Sequence, residues 1–158
     1  MKTSFKTGLS FGLTSGVITT LGLMVGLHSG THSRNVVIGG ILTIAIADAM
    51  SDALGMHIAE ESKNNGILSD IWESTFATFV AKFLIATTFV VPVLLLPLEQ
   101  AMIVSVGWGL TLLAVLSYRL ALAQQIPAWK VIAEHVVIGV SVIAITHFVG
   151  GWIQSTLS

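Results

Sequence analysis

VVIGGILTIAIADAMSDALGMHIAEE, Val36 to Glu61, is long and apolar enough to cross a bilayer as a helix, yet it carries two aspartates inside the crossing. A carboxylate near the middle of a membrane helix costs roughly 3 kcal/mol even on lenient insertion scales, so intramembrane acids face a bundle interior, an ion path or a proton relay. Asp48 and Asp52 stand one helical turn apart, and residues four apart share a helix face. Repeating the step gives Asp48, Asp52, Met56 and Glu60, a stripe of possible metal ligands about 18 Å long at 1.5 Å rise per residue. It mixes hard carboxylate oxygen with a soft thioether, a set that suits a first-row transition metal.

The rest of the chain has the same character. Hydrophobic residues make up 54% and charged residues 9%, against about 25% charged in soluble domains, so an integral membrane protein is expected. Five apolar stretches reach the ~20 residues a helix needs to cross: Gly8 to Leu27, Val36 to Glu60, Glu73 to Leu96, Ala101 to Ala123 and Val131 to Gln154. None shows the two-residue alternation of a barrel strand. The expected fold is all-α, a single transmembrane domain over residues 1–158 built as a five-helix bundle. Gly8 to Leu27 has full spanning length and reads as the first membrane helix rather than a cleaved leader.

Lys and Arg gather on the cytoplasmic side of short loops. Lys2, Lys6, Lys63, Arg119 and Lys130 fall at one end of the predicted bundle and Arg34 at the other, so the amino terminus is expected in the cytoplasm and the carboxy terminus outside. The connection from Glu60 to Trp72 carries Asn64-Asn65-Gly66, a turn signal. Seven cations and eight anions are spread thinly, which argues against a nucleic-acid partner. The chain has no cysteine, so any metal would be held by oxygen, nitrogen or thioether sulfur. No HExxH, Gly-x-Ser-x-Gly or nucleotide-binding glycine loop is present. An enzyme is not expected, nor a permanently bound cofactor.

Other polar groups extend the candidate site. Lys82 lies inside the third predicted helix, where a cation needs a partner or a route to the surface. At a depth matching Asp52, it would either neutralise the acids as a purely structural pair or act as a counter-charge that a metal displaces. Burial disfavours a bare carboxylate charge, so either acid is also a place for a proton. His57 with Glu61, and Met56 with Glu60, are four apart at the end of the second helix and could capture a metal at a pore mouth; a hydrated helix end is the blander reading. His28 and His32 are also four apart, but Ser-Gly-Thr between them favours a turn over ligation. Ser15 is a hydroxyl at membrane depth, able to serve as a neutral ligand if it faces Asp52. Gly8, Gly12 and Gly16, then Gly22 and Gly26, form small-residue ridges in the first helix that serve either packing within the chain or dimerisation. A homodimer with the first two helices near its axis is expected. Pro92 and Pro97 mark a kink or end of the third helix.

The first helix, GLSFGLTSGVITTLGLMVGLHSG, resembles the opening helix of the vacuolar iron transporter family, whose pattern is close to GxxDGxxxxxGLxxG. The second helix, from Ile46 to Gly55, is similar to that family's VADGLSMALG segment, and the later helices are similar in placement and in their Gly and Pro positions. The resemblance implies a dimeric five-helix carrier that exchanges Fe2+, Mn2+ or a similar ion for protons, here in a prokaryotic plasma membrane with the bilayer itself as surroundings. The family's path aspartate falls on Ser15, its path methionine on Asp52 and an acidic or amide position on Ile44, while Asp48 matches an acidic position found in part of the family. The family's cytoplasmic metal-binding insertion is absent. A different class of function fits the same residues: a non-transporting membrane scaffold or partner-binding protein in which Asp48, Asp52 and Lys82 form a buried structural network.

Overall fold

The computed structural model describes residues 3–63 and 67–157. Lys2 and the turn signal Asn64-Asn65-Gly66 lie outside the described residues. The described chain is helical and contains no strand: α1 Thr3–Thr31, α2 Arg34–Glu61, α3 Leu68–Thr88, α4 Val90–Leu95, α5 Leu98–Gln124 and α6 Ala128–Leu157. With α3 and α4 taken as one crossing, five helices are long and apolar enough to span a membrane. The chain reverses direction at each connection. One end holds the start of α1, the α2–α3 connection and the α5–α6 turn; the other holds the α1–α2 and α4–α5 turns.

The break between α3 and α4 has a local cause. Pro92 has no N–H, and its ring crowds the carbonyl four residues earlier, that of Thr88. The ladder gives way there, and Phe89 N–H bonds the Ala86 carbonyl, one residue tighter than an α-helical bond. Pro97 then ends the crossing and caps α5.

Helix α1 is the axis of the bundle, and its glycines decide what it touches. A Cβ at Gly8 or Gly12 would collide with the backbone of Ser74 or Thr78, and one at Gly16 with the side chain of Ile85, all on α3. Gly22, Gly26 and Gly30 instead face Val142, Thr146 and Gly150 on α6. The step of six residues from Gly16 to Gly22 turns the ridge by about 120° at 3.6 residues per turn, so one helix seats a close neighbour on each of two faces. Thr78 reinforces the first contact by donating to the Gly8 carbonyl at 3.2 Å. The glycine ridges of α1 therefore serve packing within the chain.

Many large apolar side chains point outward, while the interior combines Leu21, Met24, Ile41, Phe89 and Leu113 with small and hydroxyl-bearing residues. Ile103 and Phe148 are each 74% exposed, whereas Thr20, Ser74, Thr78, Ser105 and Ser117 are buried. Water would not tolerate that much exposed apolar surface on a monomer; hydrocarbon does, and in lipid small residues let helices approach.

Candidate functional site

The polar centre of the bundle is built from three helices. Lys82 is the largest fully buried side chain, 1% exposed, carried on the face of α3 that meets α1 and α2. Its ammonium reaches the two acids that stand one turn apart on α2. Nζ lies 2.6 Å from Asp48 Oδ2, off the line of a hydrogen bond, since that oxygen has no hydrogen-bond partner. It also donates to Asp52 Oδ2. From α1, the Ser15 hydroxyl donates to the same Asp52 oxygen at 2.6 Å and accepts from Lys82 Nζ at 3.0 Å. Asp48, Asp52, Lys82 and Ser15 thus form one network near the middle of their helices.

Burial and charge are distributed unevenly within it. The lysine is sealed, while the side chains of Asp48 and Asp52 keep 28% and 21% of their exposure. With both acids ionised, two carboxylates meet one ammonium, leaving one negative charge in excess. A buried pair of this kind is held by mutual attraction only if its partners remain together. The excess charge can be met by a proton or by a cation of higher valence.

The remaining predicted ligands are placed elsewhere. Glu60 is buried, 8% exposed, and pairs with Lys63 at 2.5 Å. His57 Nδ1 lies 3.1 Å from Thr75 Oγ1, with its ring edge-on to Trp72. Glu61 is exposed and Met56 half-buried. The Asp48–Asp52–Met56–Glu60 stripe is therefore split: its first two members join Lys82 and its last joins Lys63. Neither His57 nor Glu61 completes a ligand set. His135, on α6, lies 2.7 Å from the Ser117 hydroxyl.

Two features escaped sequence reasoning. The first is an uncovered strip on α2: Gly39, Thr43, Ala47, Ser51, Gly55 and Ala59, four residues apart throughout and all exposed. Nothing lies within 4 Å of a Cβ placed at Gly39 or Gly55. The strip flanks Asp48 and Asp52, and its four-residue repeat was a readable signal masked by the neighbouring acids. The second is a cluster of His28, His32 and Glu99 at the end of the bundle opposite the amino terminus. A groove of about 670 Å³ runs along α1 and α3 between residues such as Leu9, Leu13, Phe76 and Leu84. It is mostly apolar and is not lined by Asp48 or Asp52.

No protein-family model matches this chain, and a search of the curated proteins finds no match.

Proposed function

We propose that this chain is a proton-coupled carrier of a divalent transition-metal ion, Fe2+ or Mn2+, and a divergent relative of the vacuolar iron transporters, moving the ion out of the cytosol. The observation that carries this reading is the single ammonium of Lys82 shared by two intramembrane carboxylates. In the resting state Lys82 holds Asp48 and Asp52. A divalent ion entering between the carboxylates repels the ammonium and replaces it, with Ser15 as a neutral ligand beside it. Protonation of an acid weakens its hold on the ion, and release returns Lys82 to the pair. No nucleotide-binding loop is present to drive uphill movement, so the ion gradient of protons does so.

The working unit is a homodimer. With the glycine ridges of α1 engaged by α3 and α6, the small-residue strip of α2 offers a second copy a face for close approach. Close approach of two such strips would cover the exposed flanks of Asp48 and Asp52 and enclose the path.

The scaffold reading is favoured by a different observation: both acids have Lys82 as a partner inside the bundle, and Glu60 has Lys63. A proteoliposome assay separates the two. With a pH-sensitive dye trapped inside and a proton gradient imposed, Fe2+ or Mn2+ added at the amino-terminal face is expected to move protons in the parent and not in Asp48→Asn/Asp52→Asn. Silence from a folded, dimeric parent would overturn the carrier reading in favour of the scaffold.

A further inference from the structure

The geometry points to a transition-metal site at the end of the bundle where α1 turns into α2, formed by His28, His32 and Glu99 and independent of the Asp48–Asp52–Lys82 network. One ligand atom from each residue lies within 4.8 Å of the other two. Among the described residues no other group of three His, Asp or Glu side chains converges in this way. Ligands at 2.0–2.2 Å from a tetrahedral zinc-like ion stand about 3.4 Å from one another, so the three must close by roughly an ångström. Glu99 can supply that movement, being 77% exposed at its side chain, and its carboxylate already lies 3.4 Å from His28 Nε2.

The chain places the rings by two separate devices. Helix α1 continues through Thr31, and the His32 N–H still bonds the His28 carbonyl at 2.9 Å, so one helical turn brings the two residues together. His32 itself adopts a left-handed backbone, φ 48°, a conformation that His tolerates better than most side chains. Its ring stands edge-on to that of His28, with centroids 5.2 Å apart. His28 is largely enclosed, 13% exposed at its side chain, and its Nδ1 is buried without a hydrogen-bond partner. No hydrogen bond inside the bundle holds that nitrogen, and Nε2 faces Glu99. Arg34, the one Arg or Lys of this end, donates to the Leu96 carbonyl at 2.7 Å.

Two imidazoles and a carboxylate select a borderline transition ion such as Zn2+, Co2+ or Fe2+ over Ca2+ or Mg2+. Three protein ligands leave a fourth position for water or an exchanging ligand, and exposed Glu99 opens the site to the aqueous side. The site is suited to capture and exchange of an ion rather than to permanent structural retention.

Co2+ titration of the purified protein in nanodiscs tests this, because a four-coordinate Co2+ ion held by nitrogen and oxygen absorbs visible light far more strongly, and at longer wavelength, than the hydrated ion. The band of the parent should grow saturably with Co2+ and be abolished by added Zn2+. Asn tolerates the left-handed backbone, so His32→Asn keeps the turn while removing the ring. It and Glu99→Gln should each weaken binding by at least the roughly tenfold that an outer-shell change alone produces, with unchanged helical content. Asp48→Asn/Asp52→Asn/Lys82→Met, which clears the central network without leaving a buried charge, should keep the band. Absence of the band in the parent, or a band undiminished in His32→Asn, would overturn the site, and proton movement in the proteoliposome assay would still decide the carrier reading. Loss of the band in the triple variant with unchanged helical content would also overturn it, assigning the metal to the central acids.

Discussion

Lys82 is the residue on which the centre of this bundle depends, because it is the only cation that the described residues place against Asp48 and Asp52. Removing one partner of a buried ion pair typically costs 3–5 kcal/mol, since the other is left charged and uncompensated. Lys82→Met is therefore expected to lower stability by about that amount in denaturant titration of the detergent-solubilised protein. Adding Asp48→Asn and Asp52→Asn to it should restore most of the loss, because no charge then remains buried. The two acids should also differ. Asp52 accepts from both Ser15 and Lys82, whereas Asp48 meets the ammonium without a hydrogen bond. Asp52→Asn should thus destabilise more than Asp48→Asn, and equal effects would show that the Ser15 bond contributes little. This network was legible in the sequence because an acid or amine deep in an apolar run has few places to go, so matching depth suggested the partners. The His28–His32–Glu99 cluster was not. Glu99 is distant in sequence, and Ser-Gly-Thr suggested a turn where α1 in fact completes its last helical turn.

At the scale of a helix, small residues mark where a neighbour sits, and the two sets of glycines should respond differently to enlargement. A Cβ at Gly12 would lie 3.0 Å from Ala81 Cβ and closer still to the Thr78 carbonyl, and backbone cannot yield as a side-chain tip can. Gly12→Ala should therefore cost about 1–3 kcal/mol, the usual range for overpacking. At Gly55 the space is open. Gly55→Leu should leave the melting temperature of the monomeric fold nearly unchanged while shifting the protein from dimer to monomer in analytical ultracentrifugation. A variant that remains dimeric would exclude the α2 strip as the interface. Composition located all five crossings and placed the ends at Glu60, Leu96 and Ala123 within one residue, but set most of the others inward, most of all at the start of α1 and of α3. Hydropathy senses only the hydrocarbon-like segment, whereas backbone hydrogen bonding carries α1 from Thr3 to Thr31 and α6 to Leu157. Pro92 announced a break in the third crossing. The break falls just before it, at Phe89, because proline disturbs the turn that precedes it.

The whole molecule has a charge polarity that the bundle makes concrete. Lys6, Lys63, Arg119 and Lys130 belong to the end with the amino terminus and the α2–α3 and α5–α6 connections, and Arg34 to the end where α1 turns into α2. Cations of short loops are retained on the cytoplasmic side, which predicts that the end near His57 and Glu60 faces the cytosol and that His28, His32 and Glu99 face outward. The lack of cysteine makes this orientation directly measurable, since any thiol introduced is the only one. Ser33→Cys, in the α1–α2 turn, and Ser155→Cys, near the end of α6, should react with a membrane-impermeant maleimide added to intact cells. Ser62→Cys, at the end of α2, should react only after the membrane is opened. The reverse pattern would place His28, His32 and Glu99 on the cytoplasmic face, making them a point of metal entry, and would require the proposed carrier to run in the opposite sense. Labelling of all three from outside would show both orientations in one population, a result expected only if the single Arg34 were enough to offset the cations of the other end.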